Sequence, residues 1–120
     1  MTNEKNFDEK FMELGEYYNI DSPCEVKEFL KSNEGIITLL NEAKPYLEET
    51  FSDDRYCLEM VYDPECISCN QLVLKIYVLF ERYQNGAHQD IERIRYHLRP
   101  TRRKIQVFTE FSIMADVKNV

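Results

Sequence analysis

Residues 56–80 constrain the fold of this chain more than any other stretch. Along Tyr56-Cys57-Leu58-Glu59-Met60-Val61-Tyr62, the residues Leu58, Met60 and Tyr62 share one side of an extended chain. From Gln71 to Phe80, Leu72, Leu74, Ile76, Val78 and Phe80 do the same. Successive side chains of a strand point to opposite faces, so two such runs joined by a loop predict an antiparallel hairpin with one apolar face. That face needs a cover, and the flanking sequence supplies candidates for it.

Before the hairpin, Phe7, Phe11, Leu14 and Tyr18 recur at helical spacing and predict a helix over residues 6–18. Ser22-Pro23-Cys24-Glu25 reads as a helix start, with Ser22 as the cap, Pro23 at the first helical position and Glu25 completing a capping box. Val26, Phe29 and Leu30 form the inner side of that short helix. From Ile36 a stripe of Ile36, Leu40, Ala43, Leu47 and Phe51 predicts the main core helix, one element with a kink at Pro45 because the stripe stays in phase across it. After the hairpin, Glu81 to Gly86 reads as a polar connection and Ala87, Ile91, Ile94 and Leu98 as a helix. Arg99-Pro100 is expected to end it, since the residue before proline avoids the helical region. Lys104 to Phe111 then alternates as a third strand, with Ile105, Val107, Thr109 and Phe111 on one side.

The expected architecture is α+β, a two-layer sandwich with helices packed on a three-stranded, mainly antiparallel sheet, in the order ααα-ββ-α-β. The third strand can join either strand of the hairpin. A chain of 120 residues with 43% hydrophobic content is large enough to bury roughly two-thirds of its surface in one domain. We therefore expect residues 1–120 to form a single domain, with residues 1–5 frayed.

Charge is spread unevenly. Residues 1–60 carry 15 acidic and 6 basic side chains, residues 61–120 carry 7 and 9, and the whole chain has a net charge of −7. No apolar run approaches the roughly 20 residues of a membrane span, so no membrane partner is expected. The first nine residues, Met1 to Glu9, lack the basic start and apolar centre of a secretion signal, which predicts a cytoplasmic protein. In that compartment the four cysteines, at 24, 57, 66 and 69, are expected as free thiols.

The segment from Phe29 to Phe80 resembles a family of short uncharacterised prokaryotic α/β proteins. The residues that carry the likeness are Leu39-Leu40-Asn41-Glu42-Ala43, the aromatic Phe51, Leu58-Glu59-Met60-Val61-Tyr62-Asp63-Pro64-Glu65, and Leu72-Val73-Leu74-Lys75-Ile76. The resemblance implies the helix-then-hairpin order and brings no established activity. This chain departs from the pattern after the hairpin, with a basic junction followed by Phe108-Thr109-Glu110-Phe111.

Three features carry candidate chemistry. Cys66 and Cys69 have the spacing of half a zinc knuckle, because two intervening residues let both thiolates reach one tetrahedral ion. The remaining ligands would have to come from Cys24, Cys57, His88 and His97, which form no second close pair. A redox role is disfavoured, since the pair precedes a strand rather than a helix N-terminus and has Glu65 beside it. Arg95, Arg99, Arg102 and Arg103, with Arg93 and Lys104, make a basic segment free of carboxylates that could meet phosphates of a nucleic acid or an acidic protein surface. Third, the second face of the strand from Gln71 carries Val73, Lys75, Tyr77 and Leu79, too apolar for a face left in water. Together these predict a non-enzymatic protein that binds a macromolecule, most simply another protein or a second copy of itself, through Val73, Tyr77 and Leu79 or through the arginines. Zinc binding by Cys66 and Cys69 and nucleic-acid binding by Arg95, Arg99 and Arg102 are the alternatives. The acidic groups at Glu9, Glu13 and Glu16 and around Asp53 and Asp54 read as solvated faces.

Overall fold

A computed structural model of the chain describes residues 6–52, 54–66 and 69–118. Its elements run α1 (Phe7–Tyr17), β1 (Asn19–Ile20), α2 (Pro23–Lys31), α3 (Gly35–Thr50), β2 (Arg55–Val61), β3 (Gln71–Val78), α4 (Phe80–Gln84), α5 (Ala87–Ile105) and β4 (Phe111–Val117). The class is α+β. The sheet has four strands in the order β1-β2-β3-β4, and two of its three pairings, β1 with β2 and β3 with β4, are parallel. The expectation of three mainly antiparallel strands is thus corrected by the two-residue β1 and by β4 joining β3 rather than β2.

The hairpin forms in the predicted phase, with Leu58 opposite Leu74 and Met60 opposite Leu72. Leu72, Leu74, Ile76 and Val78 are fully buried, together with Phe111, Ile113 and Ala115 from β4. They meet Leu14 of α1, Val26 and Leu30 of α2, the Ile36-to-Leu47 stripe of α3, and Ile91, Ile94 and Leu98 of α5 in one core cluster. Every helix with buried residues contributes them to this cluster, so the helical layer lies on one side of the sheet.

Three tyrosines fasten α3 to its neighbours. Tyr18 donates its hydroxyl to the Leu40 carbonyl at 2.6 Å, Tyr17 to Lys44 at 3.2 Å, and Tyr56 to Phe51 at 2.6 Å and Leu47 at 3.1 Å. Their rings pack together, with Tyr17 and Tyr18 edge to face at 4.9 Å and Tyr17 stacked on Tyr56 at 5.7 Å. α3 runs through Pro45 as one element. Pro45 and Asn41, whose carbonyl loses its helical donor, both face water, which supplies a substitute.

Several local expectations are corrected. α2 starts at Pro23, but Ser22 adopts φ 48° and makes no side-chain cap. The Glu25 carboxylate accepts instead from the Tyr62 hydroxyl at 2.8 Å, so no capping box forms. Within the stretch Glu81 to Gly86, expected as a polar connection, residues up to Gln84 form α4 together with Phe80, which was expected at the end of the strand; Gly86, at φ 96°, makes the left-handed turn into α5. Pro100 does not end α5, which continues to Ile105. The carbonyl freed by Pro100 belongs to the exposed Tyr96, and the last turn is held by tertiary contacts: Thr101 donates to Glu42 of α3, and Ile105 packs against Gly35. The predicted strand over 104–111 therefore begins only at Phe111 and runs to Val117. Gln106, at φ 57°, closes the helix.

Candidate docking face and basic stripe

The face of the sheet turned away from the helices is built in rows. Arg55, Tyr77 and Asp116 form one; Cys57, Lys75 and Met114 the next; Glu59, Val73 and Ser112 a third; Val61 and Gln71 a fourth. Among the described residues, Val73, at 2% exposure, is the one buried apolar residue outside the core cluster. Val61 and Met114 flank it at 38% and 41% exposure. Lys75 reaches Glu59 at 2.6 Å and approaches Asp116 at 4.0 Å. The hydrogen bond to Glu59 raises the lysine pKa against the opposing effect of desolvation, so the ammonium is fixed in its charged form. The face is thus apolar patches around an internally compensated ion pair.

At one end of this face, Asn19, Ile20, Asp21, Arg55, Cys57, Glu59, Tyr77 and Lys118 line an open hollow of about 820 Å³. Burial pushes the Cys57 thiol pKa up, with Arg55 opposing it, which leaves the sulfur protonated and a poor nucleophile. Burial likewise raises the Tyr77 phenol. Of the residues expected here, Val73 and Tyr77 lie on the face. Leu79 follows directly after β3 ends at Val78, still in extended backbone at the entry to α4, where it and Phe80 are both exposed.

The arginine segment divides in two. Arg102 donates to the carbonyls of Phe108 and Phe111, each at 2.9 Å, with its guanidinium over the Phe111 ring. Arg95 donates to the Ile113 carbonyl and pairs with Glu92. Both are therefore engaged with β4 and its approach. Arg99 and Arg103 are exposed and, with Tyr96, His97 and Pro100, line a shallow depression of about 280 Å³. The Arg99 guanidinium lies 5.8 Å from the centre of the Tyr96 ring, and His97 stacks on Tyr46 at 4.7 Å. Alternation and charge counts did not separate these two pairs, because the distinction depends on where β4 returns beside α5.

Cys66 and Cys69 are joined as a disulfide, while Cys24 and Cys57 are free, which corrects the expectation of four free thiols. Their Cα atoms lie 5.3 Å apart, inside the range a disulfide bridges without backbone movement. The bonded pair has no thiolate to offer a metal. Reduced, it would supply two of the four ligands that structural zinc takes, and among the described residues no group of three or more His, Cys, Asp or Glu side chains is placed to hold an ion. His88 is edge to face with Tyr83, and His97 is in the aromatic stack already described. Among the described residues no helix is long and apolar enough to cross a membrane.

No protein-family model matches the sequence, and no curated protein and no solved structure is significantly similar to the chain.

Proposed function

We propose that this chain is a non-enzymatic binding protein that docks another protein on the outer face of its sheet, and that the simplest partner is a second copy of itself. The observation that carries this reading is a sheet with two parallel pairings out of three and helices on only one side. Parallel strands are ordinarily covered on both faces. The face turned away from the helices carries exposed Val61 and Met114 around Val73, which its neighbours already bury, and Lys75 and Glu59 on it are paired with each other, so a partner would meet Val61 and Met114 rather than a lone Lys75 or Glu59 charge. The adjoining hollow is a socket for a partner side chain.

Light scattering and sedimentation over a wide concentration range test it. The wild-type chain should form dimers, and Val61→Glu combined with Met114→Glu should weaken them at least roughly tenfold. A wild-type chain that stays monomeric at about 1 mM removes the homodimer.

A second reading rests on Tyr96, Arg99 and Arg103, which recur at helical spacing on the exposed side of α5. Guanidinium groups beside an exposed ring suit an anionic partner such as a single-stranded nucleic acid. Binding of that kind falls steeply with salt, and its absence at low ionic strength ends this alternative. The zinc alternative would need Cys66 and Cys69 reduced, and is tested by metal analysis of the reduced protein.

A further inference from the structure

The sheet has two edges, and they are built differently. β1 contributes two residues at one edge, whereas β4 presents seven at the other. A long edge strand offers unpaired N–H and C=O groups that template the addition of another strand.

The ladder fixes which groups of β4 point outward. Leu72 donates to the Glu110 carbonyl, and Lys118 donates to Val78, so even-numbered residues here turn their backbone toward β3. Phe111, Ile113, Ala115 and Val117 turn theirs away. Charged side chains meet three of these four residues. Arg102 donates to the Phe111 carbonyl, Arg95 to the Ile113 carbonyl, and Asp116 accepts the Val117 N–H at 2.8 Å. Ala115 alone keeps both outward groups without a side-chain partner among the described residues. The arginines come from α5, seven residues and two turns apart on one side of the helix, and their long side chains converge from about 10.5 Å of helix onto carbonyls about 6.7 Å apart along β4.

We propose that Arg95, Arg102 and Asp116 hold the β4 edge shut against strand addition, and that the occupant they exclude is the β4 strand of a second copy. About a two-fold axis the strand is its own complement: Phe111 would face Val117 and Ile113 would face Ala115, each exchanging N–H and C=O groups with its opposite. The apolar inner side chains of the two copies would continue one another across the junction. A guanidinium on an edge carbonyl removes an acceptor from that pairing and places a charge in the incoming strand's path. The inference stands apart from docking on the outer face, which uses side chains rather than the edge.

The test uses a labelled peptide spanning Thr109 to Lys118 as the incoming strand. Arg95→Ala combined with Arg102→Ala should bind it at least roughly tenfold tighter than wild type does, and should self-associate through protected amides at Phe111, Ile113 and Ala115. Val61→Glu, on β2, should leave peptide binding unaltered and so separates the edge from the face. A double variant with native circular dichroism that binds the peptide no better than wild type overturns the proposal. Where the double variant fails to fold, Asp116→Ala decides, because its side chain is 48% exposed. Tighter peptide binding by that variant supports the closed edge, and unchanged binding overturns it.

Discussion

Tyr18→Phe separates two contributions of a single hydroxyl. Tyr18 is buried, its ring is set edge-on against Tyr17, and its O–H donates to the Leu40 carbonyl at 2.6 Å. Phenylalanine keeps the ring and removes the oxygen. At pH 7 the loss should be about 1 kcal/mol, one buried hydrogen bond, because the Leu40 carbonyl retains the donor that the helix supplies from four residues on. As pH rises past 10 the balance begins to shift toward the variant. Burial first, then the neighbouring Tyr17 and Tyr56, push the Tyr18 phenol well above its ordinary value of 10, so the native state keeps a proton that the unfolded chain releases. Stability carried in this way is fully present below pH 10 and is lost as pH rises toward the folded pKa, at about 1.4 kcal/mol per pH unit. Phenylalanine has no such proton. The variant should therefore be the less stable protein at neutral pH and the more stable one at pH 11, the curves crossing near about pH 10.6. Urea unfolding followed by circular dichroism across this range measures both arms. Tyr17 and Lys75 also have raised pKa values, but both proteins share them and they cancel in the difference. A stability difference that stays constant from neutral pH to pH 11 would refute the reasoning.

Pro100→Ala should raise the melting temperature, because α5 already continues through this exposed position and alanine restores the missing helical donor, a gain of about 1–3 kcal/mol. A lower melting temperature would show that the proline ring itself is needed. Thiol titration of protein unfolded without reductant should find two free thiols per chain, Cys24 and Cys57, and finding four would contradict the Cys66–Cys69 bond. Reduction should cost no more than about 2 kcal/mol in urea unfolding, because the ring that bond closes is short.

The sequence exposed the fold where periodicity and punctuation agreed. Alternation showed which residues of the two hairpin strands share the inner face, and the helical stripes pointed to Leu14 of α1 and to Ile36, Leu40, Ala43 and Leu47 of α3 as inward, because helical and extended chains repeat at different periods. It misled where a pattern ran on without a stop. Ile105, Val107, Thr109 and Phe111 alternate, and the same phase continues through Ile113, Ala115 and Val117, so nothing marked where helix gave way to strand. No glycine or asparagine signals the end of α5; Gln106 takes the left-handed position instead. Pro100 had the opposite effect, giving a stop signal that contacts to Glu42 and Gly35 outweigh. β1 is too short for any period to show. At the candidate site, Val73 and Tyr77 were legible as an outward face, whereas the end of the strand at Val78, just before Leu79, was not marked by any turn residue. The division of the arginines was invisible, since it depends on backbone carbonyls brought from elsewhere in the chain.

The two free cysteines give the most direct test of docking on the outer face, without any substitution. Cys57 lies on that face in the row with Lys75 and Met114, whereas Cys24 is exposed on α2. Alkylation of both can be followed by peptide mass spectrometry as protein concentration rises at one fixed reagent concentration that exceeds the total thiol throughout. Docking of a second copy predicts that the Cys57 rate falls with concentration while the Cys24 rate holds. Two rates that both stay constant up to about 1 mM would contradict it.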